Sequence, residues 1–328
     1  MPDQPDIIDL CAGIGWAEGL TPLGLHETGL ELNPIVCATR KARGHHTVHG
    51  DITQMIPATF RSARKIIGFP PCPGFGKSGR KLGLHDLPRV YQVIDDLAHG
   101  RDTRAALNAA CLDPRSILTA EPMRWLHALR PEWVVMEQVP SVLPVWKHYA
   151  RILDTWGYST ATAVLDAADH GLGQHRPRAI IIASRTRPAA MPAATHGPGL
   201  LPHTTMASVT GWGYTQRPAP TVTGGGTATG GAEPFGNGTR QAMRKAIGTS
   251  AWAHRDIPPT RNGSPNLRPT ITECAALQGF DPDLAHDLQG GAGDQHLLIG
   301  NAVPPLLATH IVAAAEGLTV PQPALAAA

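Results

Sequence analysis

Ile7-Ile8-Asp9-Leu10-Cys11-Ala12-Gly13-Ile14-Gly15-Trp16-Ala17-Glu18-Gly19 is the stretch on which the fold turns. Its first four residues read as a short buried strand, and a glycine turn and a helix start come at once after it. Strand, glycine turn and helix in that order form a nucleotide-cofactor arrangement, because glycine backbones admit close approach. The spacing is GxGxxxG rather than GxGxxG, which argues against a pyrophosphate-binding dinucleotide site. Taken alone, the stretch fits a tight turn that binds nothing equally well.

Two acidic residues downstream favour the cofactor reading. Glu31, in Gly29-Leu30-Glu31-Leu32, falls at the end of the next predicted strand, near the ~20-residue separation from the glycine turn expected of a ribose-binding carboxylate. Asp51, in His49-Gly50-Asp51-Ile52, ends a third. Carboxylates in these places can accept hydrogen bonds from ribose hydroxyls and from an adenine amino group. Lys65-Ile66-Ile67 then leads into Gly68-Phe69-Pro70-Pro71-Cys72-Pro73-Gly74-Phe75-Gly76-Lys77-Ser78-Gly79. This places a thiol just past the C-terminal edge of a sheet, where open α/β sheets hold their ligands. Pro70 and Pro71 stiffen the approach to the cysteine, whereas Gly74, Gly76 and Gly79 loosen the backbone beyond it. A cysteine can attack carbon near neutral pH if its thiolate is favoured, although an inert thiol in a Pro/Gly turn fits this loop as well.

Two more segments aim at the same edge. Trp133-Val134-Val135-Met136 predicts a buried strand with Glu137 directly after it. Arg176-Pro177-Arg178 enters Ala179-Ile180-Ile181-Ile182-Ala183, and the period-two alternation of a strand sends both guanidinium groups to one side. One could brace a carboxylate or base carbonyl while the other meets phosphate.

The chain as a whole sets bounds. With 328 residues, 42% hydrophobic and 16% charged, it is globular, and its length allows about two domains. A formal charge of +2 permits a polyanionic partner without demanding one. The five cysteines, Cys11, Cys37, Cys72, Cys111 and Cys274, include no CxxC pair, so neither a metal site nor a disulfide framework is expected. The acidic start is unlike a secretory signal and no apolar run approaches the ~20 residues of a membrane helix, so a soluble cytoplasmic protein without membrane contact is expected. Helices are predicted over Leu87 to Ala110, Ser116 to Leu129 and Ile271 to Gln278, and a final one opens near Gln295 and runs through about Leu318. Between Thr186 and Asn266 the chain turns rich in Pro, Gly and Thr and reads as a second, loop-rich domain with short strands. Arg240, Arg244, Lys245, Arg255 and Arg261 give that region a basic excess suited to phosphate contact.

Taken together, these segments resemble the DNA cytosine-5 methyltransferases, in that family's order and over nearly the whole chain. The matches are Asp9 to Gly15, the Pro-Pro-Cys loop, Glu137-Gln138-Val139, the Gln174, Arg176 and Arg178 segment, Arg268-Pro269-Thr270 through Phe280, and Gly300-Asn301-Ala302-Val303-Pro304-Pro305. The resemblance implies a Rossmann-like S-adenosylmethionine-dependent methyltransferase domain, a mostly parallel sheet with helices on both faces, over 1–185 and 295–319. It implies a target-recognition domain over 186–294, with a frayed tail over 320–328. It implies that Cys72 adds to C6 of cytosine in duplex DNA and that C5 then takes a methyl group from S-adenosyl-L-methionine. Glu137 would hold N3 and the exocyclic amine, Arg178 would stabilise the O2 side, and Arg176 would fix the catalytic loop or a phosphate. The cofactor would lie against Ala12, Gly13, Ile14, Gly15, Glu31, Leu32, Asp51, Ile52, Pro71, Leu118, Asn301 and Val303. Lys77, Ser78 and Arg80 would belong to a lid over a flipped nucleotide. A monomer is expected, and a separately acting restriction endonuclease is left open as a partner.

Some positions depart from the family's pattern. Cys11 replaces a phenylalanine that packs on adenine, Gln138 an Asn, Pro73 a Gln and Gly76 a Ser, and the insert from Leu82 to about Leu112 is long. Two other readings stand beside the first: an enzyme acting on RNA cytosine, whose characteristic Cys-Phe-Thr tripeptide is absent here, and a catalytically weak DNA-binding relative.

Overall fold

The computed structural model describes residues 5–71, 74–75, 82–224, 234–256, 260, 263 and 265–321, and in it the aliphatic runs singled out above become strands. They are β1 (Ile7–Leu10), β2 (Thr28–Glu31), β3 (Thr47–His49), β4 (Lys65–Gly68), β5 (Trp133–Gln138), β6 (Ser159–Asp166) and β7 (Pro177–Ser184). One sheet holds all seven in the order β3-β2-β1-β4-β5-β7-β6. The first five run parallel, and β7 runs antiparallel to both its neighbours. Because the chain winds from β1 out to β3 and then back past β1 to β4, the winding reverses between β1 and β4. At such a switch point the C-terminal strand ends open a crevice.

Side-chain alternation divides the core. Ile8, Leu10, Ile66, Val134, Met136, Ala179 and Ile181 face one layer of helices, which includes the Leu87–Ala98, Glu121–Leu129 and Leu143–Thr155 helices. Ile7, Ile67, Trp133, Val135, Ile180 and Ile182 face the other, built on Trp16, Leu20 and the Pro305–Glu316 helix. Burial on both faces is why these strands are near-continuously apolar.

Several expected boundaries move. Glu137 lies inside β5 rather than after it. The stretch from Leu87 forms two helices, Leu87–Ala98 and Arg104–Asn108, and the Ser116 segment opens as a 3₁₀ turn over Ser116–Ala120 before the Glu121–Leu129 helix. The final helix is also two, Ala292–Asn301 and Pro305–Glu316, parted where Ala302 and Pro304 take extended backbone angles ahead of Pro305. The span Ala292–Glu316 is, against expectation, long and apolar enough to cross a membrane by length and composition. However, its most apolar window is 78% buried, much of it against β5 and β7, as befits core helices.

From Ser184 an irregular strap, Arg185 to Ala194, returns along the molecule to the opposite sheet edge, where Thr195 N and His196 N donate to Asp169 O at 2.8 and 2.9 Å. Beyond it lies the loop-rich region, with a two-stranded pair, β8 (Gly213–Tyr214) and β9 (Trp252–Ala253). Its core is Met206, Trp212, Phe235, Met243, Cys274, Leu277 and neighbours, and it also takes in Ile14 and Val36 from the first part of the chain and Leu298, Ile299 and Ala302 from the last. The tail from residue 322 lies outside the described residues.

Candidate active site

The glycine turn is held from beneath. Ala12 N donates to Leu30 O at 3.1 Å, and Arg40 reaches up from the Pro34–Ala42 helix to Gly13 O at 3.2 Å. Arg40 is buried and paired with buried Glu27 at 2.5 Å, crossing Gly29, where any Cβ would sit 2.3 Å from the guanidinium. Asp9, under the same turn, has both carboxylate oxygens buried without a hydrogen bond. Burial, and then the Glu27 charge, push its pKa well above the usual carboxylate value. Gly15 adopts φ +111° and its Cβ position lies 1.8 Å from Val303 O, so only glycine lets the Val303 segment close over the turn. Val303 N donates to Ile14 O, which joins the first motif to the last.

Glu31 ends β2 with its carboxylate across this turn. One oxygen accepts from Gly13 N at 3.0 Å and the other from Asn33 N at 2.8 Å. Each keeps a lone pair for a further donor. Asp51 Oδ1 accepts from Thr53 N and Thr53 Oγ1, leaving Oδ2 without a bond to the described residues. Leu32 stands 60% exposed, Ile52 is buried in the loop after Asp51, and Asn301 is exposed close in sequence to buried Val303. Ile14, expected to line the cofactor, turns its side chain into the second core. Cys11 takes φ +60°, unusual for a side-chain-bearing residue.

The approach to Cys72 is fixed from two sides. Phe69 N donates to Leu10 O, and Gln138 Nε2 donates to Pro70 O at 3.0 Å. Gln138 therefore has a definite task at its unusual position. After the cysteine, Gly74 O accepts from Gly83 N and Phe75 O accepts from Ser141 Oγ at 2.6 Å. Cys72, Pro73, Gly76, Lys77, Ser78, Arg80 and Arg261 lie outside the described residues.

Glu137 is fully buried on the same sheet face as Arg178, and the antiparallel register, which sets Glu137 opposite Ile180, makes them diagonal neighbours. Arg178 Nε lies 2.7 Å from Glu137 Oε1, but the alignment is that of an ion pair, and neither Glu137 oxygen receives a hydrogen bond. Burial raises the Glu137 pKa, opposed by the charges of Arg178 and then Arg176. Arg176 is only 1% exposed and donates to Val222 O, Gly300 O and Ala302 O at 2.8–2.9 Å. A phosphate contact for Arg176 is thereby overturned, because every one of those bonds ties buried backbone. Gln174 works alongside, donating to Leu277 O and accepting from Val222 N.

The basic residues of the loop-rich region divide. Arg244 and Lys245 are exposed on the Asn237–Ala246 helix, and Arg240 is half-buried there. Arg255 is spent internally instead: it donates to Arg268 O, pairs with Glu273 at 2.9 Å and lies over the Trp212 ring. Sequence reading did not reach Arg40, Glu27, Glu121, Arg104 or Arg124, all of which support the turn or the Asp51 loop. Ordinary helix charges carry no signal of such long-range partners.

A seven-stranded sheet with one reversed strand, carrying a glycine turn, two strand-end carboxylates and a buried Glu–Arg pair at one edge, defines a Rossmann-like methyltransferase. Among solved structures, the Entamoeba histolytica methyltransferase EhMeth shares this fold, with a TM-score of 0.63 at 14% identity over 96% of this chain and 98% of that one. The family profile of C-5 cytosine-specific DNA methylase matches residues 104–208. Type II methyltransferase M.NaeI of Lentzea aerocolonigenes is 25% identical over 93% of this chain and 73% of its own length. Type II methyltransferase M1.HphI of Haemophilus parahaemolyticus is 27% identical over 94% and 85%. The chain is thus similar to the C-5 cytosine-specific DNA methylases, in the profile over residues 104–208 and in these Type II relatives along most of its length.

Proposed function

We propose that this protein transfers a methyl group to C5 of cytosine in duplex DNA at a specific sequence, by flipping the base out and attacking C6 with Cys72. The observation that carries this reading is Glu137: a fully buried carboxyl group, braced by Arg178, with neither oxygen hydrogen-bonded. Such a group fits an amidine edge, the N3 and exocyclic amine of cytosine, and its raised pKa suits a group that shares a proton with N3. Arg178, already beside it, would face O2.

S-adenosylmethionine supplies a methyl group on a sulfonium sulfur, poised for transfer to a nucleophilic carbon. The glycine turn and Glu31 fit its ribose, and Asp51 and Leu32 fit its adenine. The chain's own residues would then prepare the ring. Cys72 Sγ bonds to C6, the displaced π-electrons make C5 nucleophilic, and Glu137 steadies the charge at N3. After methylation the C5 proton would pass to solvent water, its bonding electrons would restore the C5–C6 double bond, and the Cys72–C6 bond would break to regenerate the thiolate. Cys72 is favoured because Cys11, Cys37, Cys111 and Cys274 are all held as thiols, their pKa values raised chiefly by burial. Base flipping costs roughly a few kcal/mol, which contacts from the lid and the loop-rich region would offset.

The division into a catalytic part and a target-recognition part is proposed with it, the exposed Arg244 supporting a DNA-facing role for the latter. A monomeric cytoplasmic state is proposed with it, and the Type II methyltransferase names of the relatives favour DNA as the substrate. The test is trapping: DNA carrying 5-fluorocytosine should form a stable adduct with the parent protein and none with Cys72→Ala. An equal adduct from Cys72→Ala would remove Cys72 from its role. Faster methyl transfer to tRNA than to duplex DNA would overturn the DNA assignment.

A further inference from the structure

The loop after Asp51 has no strand to steady it, yet three of its backbone carbonyls are gripped by two arginines locked on one buried carboxylate. Glu121, 1% exposed at the start of its helix, accepts from Arg104 at 2.5 Å through one oxygen and from Arg124 at 2.7 Å through the other. Arg124 then donates to Ile52 O at 2.5 Å and to Met55 O at 2.9 Å, and Arg104 donates to Thr53 O at 3.1 Å. Arg104 is itself held by Asp102, which accepts from its Nε at 2.9 Å and from a terminal nitrogen at 2.7 Å. Thr53, in turn, is the residue whose N–H and hydroxyl fix Asp51 Oδ1.

We infer that Glu121, Arg104 and Arg124 form a positioning triad that sets Asp51 and Ile52 for the adenine end of the cofactor, and that the insert from Leu82 to Leu112 completes the cofactor pocket by delivering Arg104. The inference rests on the cofactor reading above. The directions of these bonds carry it. A staple that only pinned the helix to its neighbour would need one contact, whereas here each arginine spends a separate N–H on consecutive parts of the loop bearing the two cofactor groups. Burial of Glu121 raises its pKa and the two guanidinium groups oppose this, so the carboxylate depends on both arginines to remain charged. Losing one arginine therefore loosens the grip of the other. Cys11, where the family has a phenylalanine, leaves the adenine with less side-chain contact, which gives the loop's position added weight.

The test is cofactor binding by calorimetry, with methyl transfer at saturating cofactor and thermal melting in parallel. Glu121→Gln is expected to weaken S-adenosylmethionine binding about ten-fold or more, as for loss of one or more charge-assisted bonds, while kcat stays within about two-fold. Arg104→Lys keeps the charge beside Glu121 but loses the forked grip, and should weaken binding less while melting close to the parent. Asp51→Ala should cost little more in the Glu121→Gln background than Glu121→Gln alone, the mark of groups acting as a unit. If Glu121→Gln folds but binds cofactor as the parent does, or is too unstable to assay while Arg104→Lys binds unchanged, the inference falls. If the parent itself binds no S-adenosylmethionine, the functional reading falls first.

Discussion

Glu137 and Arg178 show how a charged pair can be both buried and unfinished. The low-dielectric site strengthens their attraction, but the carboxyl oxygens still lack hydrogen bonds, a cost a fold tolerates where a ligand will supply the missing partners. Glu137→Gln keeps the shape and removes the charge. We predict a fall in methyl-transfer kcat of about 10²-fold or more, in keeping with a lost proton-sharing group, with S-adenosylmethionine binding unchanged in calorimetry. An equal fall in cofactor affinity would place Glu137 elsewhere in the mechanism. Gln138→Ala should act more weakly, loosening Pro70 and slowing 5-fluorocytosine trapping while leaving the thermal midpoint nearly fixed. The sequence revealed the type and chain position of Glu137, since a carboxylate at the end of a β-rich apolar run is visible by eye. It could not reveal the bond from Gln138 to Pro70, because a side chain that reaches 68 residues back leaves no local pattern.

At the scale of elements, the clearest constraint is the contact between the glycine turn and the Val303 segment. Gly15→Ala would put a methyl group 1.8 Å from Val303 O at a φ of +111°. Backbone strain and overpacking together should destabilise the protein by about 3 kcal/mol or more, read as a lowered denaturant midpoint. The Ile271–Leu277 helix offers a milder case: Thr270 and Glu273 cap each other's backbone N–H groups, and Glu273 also receives Trp212 Nε1 and pairs with Arg255. Thr270→Ala should cost about 1 kcal/mol, the usual worth of a cap. Elements were legible where a short apolar run stood between breaks, as in β1, β4 and β5. They were misjudged where proline cut an apolar run, so that Pro304 and Pro305 divided what hydropathy alone read as a single helix. The loop-rich region was legible only as composition, because its order comes from Gln174, Arg176 and Gln278 binding distant carbonyls rather than from any local repeat.

At the scale of the whole molecule, a histidine cluster joins the parts. His170 packs against His310 with ring centroids 4.9 Å apart beneath the strap's end, with His196, Asp166 and Asp169 around them, and His203 on Asp169. Burial, then the His310 charge, lowers the His170 pKa to about 4. The fold thus favours neutral His170, whereas the unfolded chain takes up a proton near pH 6.5. Stability from this residue is complete above about 6.5, declines as pH falls, and is fully lost near 4, for about 3 kcal/mol at most. Denaturation measured from pH 7 to 4.5 should show that decline, and His170→Gln should flatten it. A parallel decline in both proteins would assign the acid sensitivity to other groups.

The reversed direction of β7 has one more consequence, for how much chain the molecule can lose. Because β7 carries the backbone away from the active-site edge, the strap from Arg185 to Ala194 must cover the strand's length again to return to Asp169. Eight residues of strand measure about 26 Å, and because Ala189 N donates to Ser159 Oγ beside the end of β7, the return falls to the few residues after Ala189, which must run extended. The strap thus has little slack. Deleting three residues from the strap should separate the loop-rich region from its seat on Asp169 and Arg176, whereas inserting three should change stability by well under about 1 kcal/mol. Length is tolerated in one direction only, and the strap acts as a tether cut nearly to measure.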